Sequence, residues 1–327
     1  MTNSILARLK EGVVLGDGGY LLELEQRGWV RAGPFTPEVA LNRPEALHEL
    51  HVEFREAGAE VLQALTFYAS RDKLATVGLA DRLEELNRAA IRIAKVAAAG
   101  RCLVAGNLSL TWMYDPKDHA SPDRVRRLFD EQLAVMTGEG VDFIIGETFS
   151  WTGEALLAVE RIRAAQLPAM VTLCFENTDR TPEGHAPGEA ACRLADAGAD
   201  VVGVNCLRNP ENTLPLVRQM RESVRTYVAA QPAAYRTPPG KPDFTSLPEF
   251  PTGLEPLQLS RQAMADYAVA ARDMGINYIG ACCGASPAHI RAMAEALGKR
   301  TPDTRVWKTG GARPMSAYEY YGHEKKS

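Results

Sequence analysis

Cys282 and Cys283 stand side by side at the end of an apolar run, Asn277–Gly284, which reads Asn-Tyr-Ile-Gly-Ala-Cys-Cys-Gly. Neighbouring side chains of a regular strand point to opposite faces, so both sulfurs reach one point only if the strand stops there. Gly284 supplies the permissive backbone for that turn. A second run, Ala199–Cys206 (Ala-Asp-Val-Val-Gly-Val-Asn-Cys), has the same build and also ends on a cysteine. Two buried strands that each deliver thiols at a C-terminal end suggest a three-thiolate metal site of Cys206, Cys282 and Cys283. Three thiolates suit Zn2+, and a catalytic zinc keeps three protein ligands with a fourth position for substrate. Such a centre is a weak acid for water and prefers a soft sulfur ligand, so it fits alkylation of a substrate thiol rather than hydrolysis. A structural zinc, or three buried free thiols, is the plainer alternative. Cys102, Cys174 and Cys192 sit singly within apolar runs and read as small buried hydrophobes.

The elements that must carry these thiols alternate strictly. Apolar, β-branched runs fall at Val13–Gly16, Glu60–Phe67, Cys102–Leu108, Phe143–Thr148, Ala169–Phe175, Val201–Cys206, Tyr227–Gln231 and Tyr278–Cys282. Segments with apolar spacing of three and four follow them, including Pro44–Ala57, Arg82–Ala99, Pro122–Thr137, Ser260–Met274 and Pro287–Leu297. Alternation of this kind implies parallel strands joined by right-handed crossovers. Eight units predict an α/β fold of the (β/α)8 TIM-barrel type, a single domain over residues 1–300. Residues 301–327 form a polar tail with Trp307, Tyr318, Tyr320 and Tyr321, a possible homo-oligomer contact. After the seventh strand, Gln231–Pro256 carries seven prolines and no helical period. It is expected to be either a stiff solvated insertion or a lid or binding loop.

Composition narrows the class of function. The 327 residues are 46% hydrophobic and 24% charged, with a net charge of −4 and the two signs mixed along the chain. Nothing suggests a nucleic-acid or membrane-surface partner, and no apolar run approaches the ~20 residues of a membrane span. The start shows no signal-peptide pattern, and sparse cysteines at strand ends suit a reducing compartment, so the expected location is cytoplasmic.

Barrel active sites lie at the C-terminal ends of the strands. Those positions hold Asp17 in Gly16-Asp17-Gly18-Gly19, then Thr66-Phe67-Tyr68, Asn107, Trp112, Tyr114, Glu147-Thr148 and Asn205. Asp17 and Glu147 could hold the α-ammonium of a thiol-bearing amino acid, while amides of the Gly18–Gly19 turn receive its carboxylate. A plain tight turn is the alternative for the glycines taken alone. His48 and His51 share a helix face and His289 lies in the last helix, so these read as surface or packing residues. His185 lies on a loop after strand five.

Over nearly its whole length the chain resembles betaine–homocysteine methyltransferase, within the zinc-dependent homocysteine methyltransferases. The matching stretches are Gly16-Asp17-Gly18-Gly19, Ala32-Gly33-Pro34-Phe35-Thr36-Pro37, Thr66-Phe67-Tyr68-Ala69-Ser70, Gly203-Val204-Asn205-Cys206, Leu247-Pro248-Glu249-Phe250-Pro251 and the paired cysteines before Gly284. The resemblance implies a (β/α)8 barrel with Cys206, Cys282 and Cys283 as zinc ligands. It further implies Tyr68 at the fourth zinc position without substrate, and Asp17, Gly18 and Glu147 on homocysteine. The implied reaction transfers a methyl group from an onium donor to the homocysteine thiolate. Glycine betaine is the expected donor; S-methylmethionine or another sulfonium is the alternative. Phe35 and Thr148 stand where the betaine pattern carries Trp and Tyr, and Tyr114 keeps its ring. A chain ending soon after the barrel is expected to carry no folate or cobalamin domain. A non-catalytic zinc or redox sensor remains the alternative of a different class.

Overall fold

The computed structural model describes residues 4–33 and 35–299. In chain order the elements are α1 (Ile5–Glu11), β1 (Val14–Leu15), α2 (Leu21–Gln26), α3 (Val39–Asn42), α4 (Pro44–Ala57), β2 (Val61–Gln63), α5 (Arg71–Ala75), α6 (Leu83–Ala98), β3 (Leu103–Ser109), α7 (Ser121–Glu139) and β4 (Phe143–Phe149). They continue as α8 (Thr152–Ala164), β5 (Ala169–Leu173), α9 (Pro187–Asp196), β6 (Val201–Asn205), α10 (Pro210–Ser223), β7 (Tyr227–Gln231), α11 (Arg261–Asp273), β8 (Tyr278–Ile279) and α12 (Pro287–Ala296). All strand pairs are parallel, in the order β1-β8-β7-β6-β5-β4-β3-β2. This is the (β/α)8 barrel that the alternation predicts. Among the described residues no helix is long and apolar enough to cross a membrane.

The seam between β1 and β2 is closed by two carboxylates. The Glu60 N–H donates to Leu15 O at 2.8 Å, and Glu60 Oε2 accepts the Leu15 N–H at 2.8 Å. One step higher, Asp17 Oδ2 accepts the Gln63 N–H at 2.7 Å.

Strand residues alternate between the two sides of the barrel wall, and both sides are apolar because helices cover the outside. Leu15, Leu62, Val104, Ile144, Val171, Val202 and Ile279 pack outward under the helices. Val14, Val61, Leu103, Ala105, Phe143, Ile145, Met170, Val201, Ala229 and Tyr278 fill the interior, and Ile5 and Leu9 of α1 join them. Each large interior side chain contributes roughly 1.5–3 kcal/mol by leaving water. Two residues further along five strands the inward positions become Gln63, Asn107, Glu147, Thr172 and Gln231, and in β6, past Gly203, Asn205. The change from apolar to polar at a step of two makes an apolar barrel with a polar top layer.

Of the two expectations for the segment after β7, the solvated insertion does not hold, because the segment packs on the barrel. Two short 3-10 turns, Phe244–Ser246 and Glu255–Leu257, fold it back on the barrel mouth. Tyr235, Phe244, Leu247 and Leu254 are buried there against Cys206 and Leu22, with Cys282 and Cys283 packed alongside. The tail 301–327 lies outside the described residues.

Candidate active site

β8 pairs for only two residues before the chain turns, and Gly284 adopts φ +80°. The early end of the strand lets Cys282 and Cys283 face one point. β6 ends differently: Cys206 and Leu207 take left-handed φ values of +56° and +52°. A continuing strand would turn Cys206 away from the side that Asn205 faces; the left-handed turn swings its sulfur toward the other two. Cys206 Sγ lies 3.5 Å from Cys283 Sγ, and Cys282 Sγ lies 4.0 Å from Cys283 Sγ. All three sulfurs fall within 4.8 Å of one another.

The donor set fits zinc. Tetrahedral coordination with Zn–S near 2.3 Å separates sulfurs by about 3.8 Å, which the spacings of 3.5 and 4.0 Å bracket. Without a cation the cluster cannot hold three negative charges. Hydrogen bonding from its neighbours holds the Cys206 thiol well below its ordinary range, while Cys282 and Cys283 are pushed well above theirs by their hydrogen bonds with Cys206. The phenol of Tyr68 is raised to about 12 by burial, then by Cys283 and Cys206, so the ring stands within electrostatic reach of the sulfurs.

Beside the thiols a cavity opens, lined among others by Gly18, Gly19, Tyr20, Phe67, Glu147 and Thr148, with Cys206, Cys282 and Cys283 in its wall. Glu147 stands in the polar top layer with three amide donors. Oε1 accepts from Gln63 Nε2 and Asn107 Nδ2, and Oε2 from Asn205 Nδ2. Burial still dominates and raises its carboxyl to about 7. Asn205 is fixed in orientation, because its Oδ1 accepts the Thr148 N–H and the Thr172 hydroxyl, both at 2.8 Å. Asn107 Oδ1 and Gln231 Oε1 are buried acceptors without a partner among the described residues, and both residues line the cavity. A ligand bringing N–H donors would satisfy them.

Asp17 stands just past the end of β1, next to Gly18 and Gly19 of the cavity wall. Its side chain is buried, with Oδ2 taken up by the Tyr20 hydroxyl at 2.6 Å and the Gln63 N–H at 2.7 Å. Burial lifts its carboxyl to about 6. Tyr20 also meets His51 Nδ1 at 2.8 Å, so of the surface and packing alternatives His51 takes the packing one, buried within a polar chain. The Gly19 N–H is engaged with Ala285 O at 3.0 Å instead of facing the cavity for a carboxylate. Both glycines serve close approach. A Cβ on Gly18 would stand 2.7 Å from Ala285 O, and one on Gly19 2.7 Å from Cys282 O.

On the outer side, Thr148 lines the cavity at φ +61° in an irregular stretch of β4. Tyr114 packs on Trp151 with ring centroids 6.1 Å apart. Phe35 is half exposed and lines a separate surface depression with Trp29 and Val39. Phe67, Tyr68 and Trp112 surround the buried Lys73 ammonium, which donates to Phe67 O at 3.0 Å and Ser109 Oγ at 2.7 Å. His289 spends both ring nitrogens on Ser286 and Leu259 O, consistent with packing. The sequence alone does not mark Tyr20, Gln63, Gln231 and Lys73 as site residues. The signal for Gln63 and Gln231 was present, as polar residues two steps beyond an inward apolar one.

Fold and site together define an α/β barrel with a three-cysteine centre at its C-terminal mouth, facing a cavity with a buried carboxylate. The chain belongs to the homocysteine S-methyltransferase family, whose profile matches residues 14–297. It is 45% identical over 305 residues to betaine–homocysteine S-methyltransferase 1 of Mus musculus, covering 90% of this chain and 74% of the relative. It is 42% identical over 305 residues to an S-methylmethionine–homocysteine S-methyltransferase of Pongo abelii, covering 90% and 81%. The metallated crystal structure of the Escherichia coli homocysteine methyltransferase MmuM shares the fold, with a TM-score of 0.70 at 20% identity, covering 88% of this chain and 96% of that one. Its oxidized form gives 0.72 at 21%, covering 90% and 99%.

Proposed function

We propose that the protein transfers a methyl group from an onium donor, with glycine betaine expected, to the sulfur of homocysteine, giving methionine. The observation that carries this reading is the cluster of Cys206, Cys282 and Cys283 opening onto the same cavity as Glu147. When bound there, zinc supplies a soft cationic site that favours ionisation of a substrate thiol while leaving the sulfur electron-rich. Cys206, Cys282 and Cys283 would hold that ion.

Glu147 receives the α-ammonium, and the open acceptors of Asn107 and Gln231 take up its remaining N–H groups. Gln63 and Asn205 hold the carboxylate in place. Asp17 contributes beneath the cavity through Gln63 and Tyr20, and Gly18 and Gly19 let the β1 and β8 loops close on each other. Tyr68, whose phenol feels the charge of Cys283 and Cys206, would take the position facing the sulfurs in the absence of substrate. In the transfer, a C–S bond forms as the methyl–onium bond breaks. The thiol proton passes to solvent, and the donor leaves as a neutral amine. Aromatic faces near the mouth, Phe67 and Tyr114 among them, suit a cationic head, with Phe35 and Thr148 at the positions matched to the donor side. Free thiols at such a centre fit a reducing cytoplasm.

The 42% identity to a sulfonium-using relative keeps S-methylmethionine as a second donor reading. The test is methionine formation by zinc-loaded protein from homocysteine, with betaine and S-methylmethionine offered separately. Turnover with betaine supports the donor named here. Turnover only with the sulfonium reassigns the donor, and silence with both rejects the reaction.

A further inference from the structure

Arg208 lies two residues beyond Cys206, and its side chain is only 3% exposed. Every arm of its guanidinium is spent on the loop after β5. Nε donates to Phe175 O at 2.8 Å and Glu176 O at 2.9 Å. Nη2 donates to Glu176 O and Thr178 O, both at 2.7 Å, and Nη1 to Asp179 Oδ1 at 2.6 Å. The Arg208 backbone is fastened as well: its N–H reaches Cys206 O at 2.6 Å, and its carbonyl accepts the Ala233 N–H at 2.8 Å. The residues locked between β6 and this anchor are Cys206 and Leu207, two consecutive non-glycine residues in the left-handed region. Such residues persist there only when their surroundings over-determine them.

We propose that Arg208 is a positioning residue for the metal centre, holding the left-handed turn that aims Cys206 Sγ at Cys282 and Cys283. The inference rests on the metal-site reading given above. A buried planar fork that satisfies carbonyls from three residues fixes the segment more firmly than a single ion pair would. If the anchor is lost, Leu207 relaxes toward right-handed or extended backbone and carries the Cys206 sulfur away from its partners. The side chain touches neither substrate nor the sulfurs, so its effect is on metal affinity and on the pre-formed state of the site.

The test is a double-mutant cycle on zinc affinity, measured by competition with a chromophoric chelator. It uses the full chain as wild type, Arg208→Met, Leu207→Gly and the double variant, each with its metal-free thermal midpoint. Arg208→Met is expected to weaken zinc about 10- to 100-fold, the usual cost of losing an outer support. Glycine adopts the left-handed turn without strain, so in the Leu207→Gly background the same change is expected to cost far less. Wild-type affinity in Arg208→Met overturns the proposal. So does an equal loss in both backgrounds, within about twofold, because a general folding defect would add independently. Should Arg208→Met fail to fold, Arg208→Lys keeps the charge without the fork and is read by the same criteria. Wild-type protein that binds no zinc would reject the metal-site reading itself, a result distinct from indifference to Arg208.

Discussion

Asn205 Nδ2 donates to Glu147 Oε2 at 3.1 Å, while Oδ1 of the same amide accepts the Thr148 N–H at 2.8 Å. The Thr148 N–H dictates which end of the amide faces the carboxylate, so the end of β4 orients the Asn205 side chain at the end of β6. Asn205→Asp would set a second carboxylate against Glu147 in a buried place. Two such groups cannot both ionise, and one is forced to keep its proton. The variant is expected to lose about 1–3 kcal/mol at pH 7.5, measured by urea unfolding. The gap to wild type should narrow at acid pH, where protonation removes the repulsion. An unchanged midpoint at both pH values would mean the amide does not hold this orientation.

Glu147→Ala removes the charge proposed to meet the substrate ammonium but leaves the three cysteines intact. Loss of a hydrogen bond to a charged group corresponds to roughly a 10- to 100-fold rise in homocysteine KM. Zinc content should stay at the wild-type level. Wild-type homocysteine KM in this variant would remove Glu147 from the substrate site.

Glu154 on α8 is buried and accepts both the N–H and the hydroxyl of Thr111. Burial outweighs those bonds and raises its carboxyl to about 7 from 4.5. A raised acid is penalised in the folded state only when ionised. The penalty is absent below the unfolded value and complete above the folded one. Glu154→Gln is therefore expected to match wild type near pH 4 and to exceed it in stability above pH 7. Chemical unfolding across that window is the check, and a gain that is largest at acid pH would contradict the sign.

A Cβ at residue 19 would press on the backbone carbonyl of Cys282 at 2.7 Å, where no side chain can yield. Gly19→Ala is expected to cost about 1–3 kcal/mol of stability and to weaken zinc, because the β8 loop carrying two ligands must shift. Normal zinc affinity in this variant would show that the loop moves freely.

Much of this architecture is legible in the sequence because it is local. The eight apolar runs and the helix Pro44–Ala57 follow from periodicity, and glycine after a helix marks its end, as Gly58 does at φ +114°. The three cysteines are legible for the same reason, since each closes a buried strand. Features set by contacts between distant segments are not. The run from Glu60 predicts an extended chain to Phe67, yet β2 pairs only through Gln63. The chain after β7 has no period because its order comes from Tyr235, Phe244 and Leu254 packing on the cysteine cluster. His51 reads as one face of an amphipathic helix, and only the fold brings Tyr20 to it. Asp17 announces itself through its glycine turn, but its carboxylate closes the barrel seam, a role that requires β2 to lie beside it.

The most direct test of the account is methionine formation from homocysteine and an onium donor after the metal is stripped by a chelator and zinc is restored. Wild-type protein should lose turnover on stripping and regain it with about one zinc per chain. Cys206→Ala should neither retain zinc nor recover. Near-normal turnover by the stripped protein or by Cys206→Ala would contradict the three-thiolate centre.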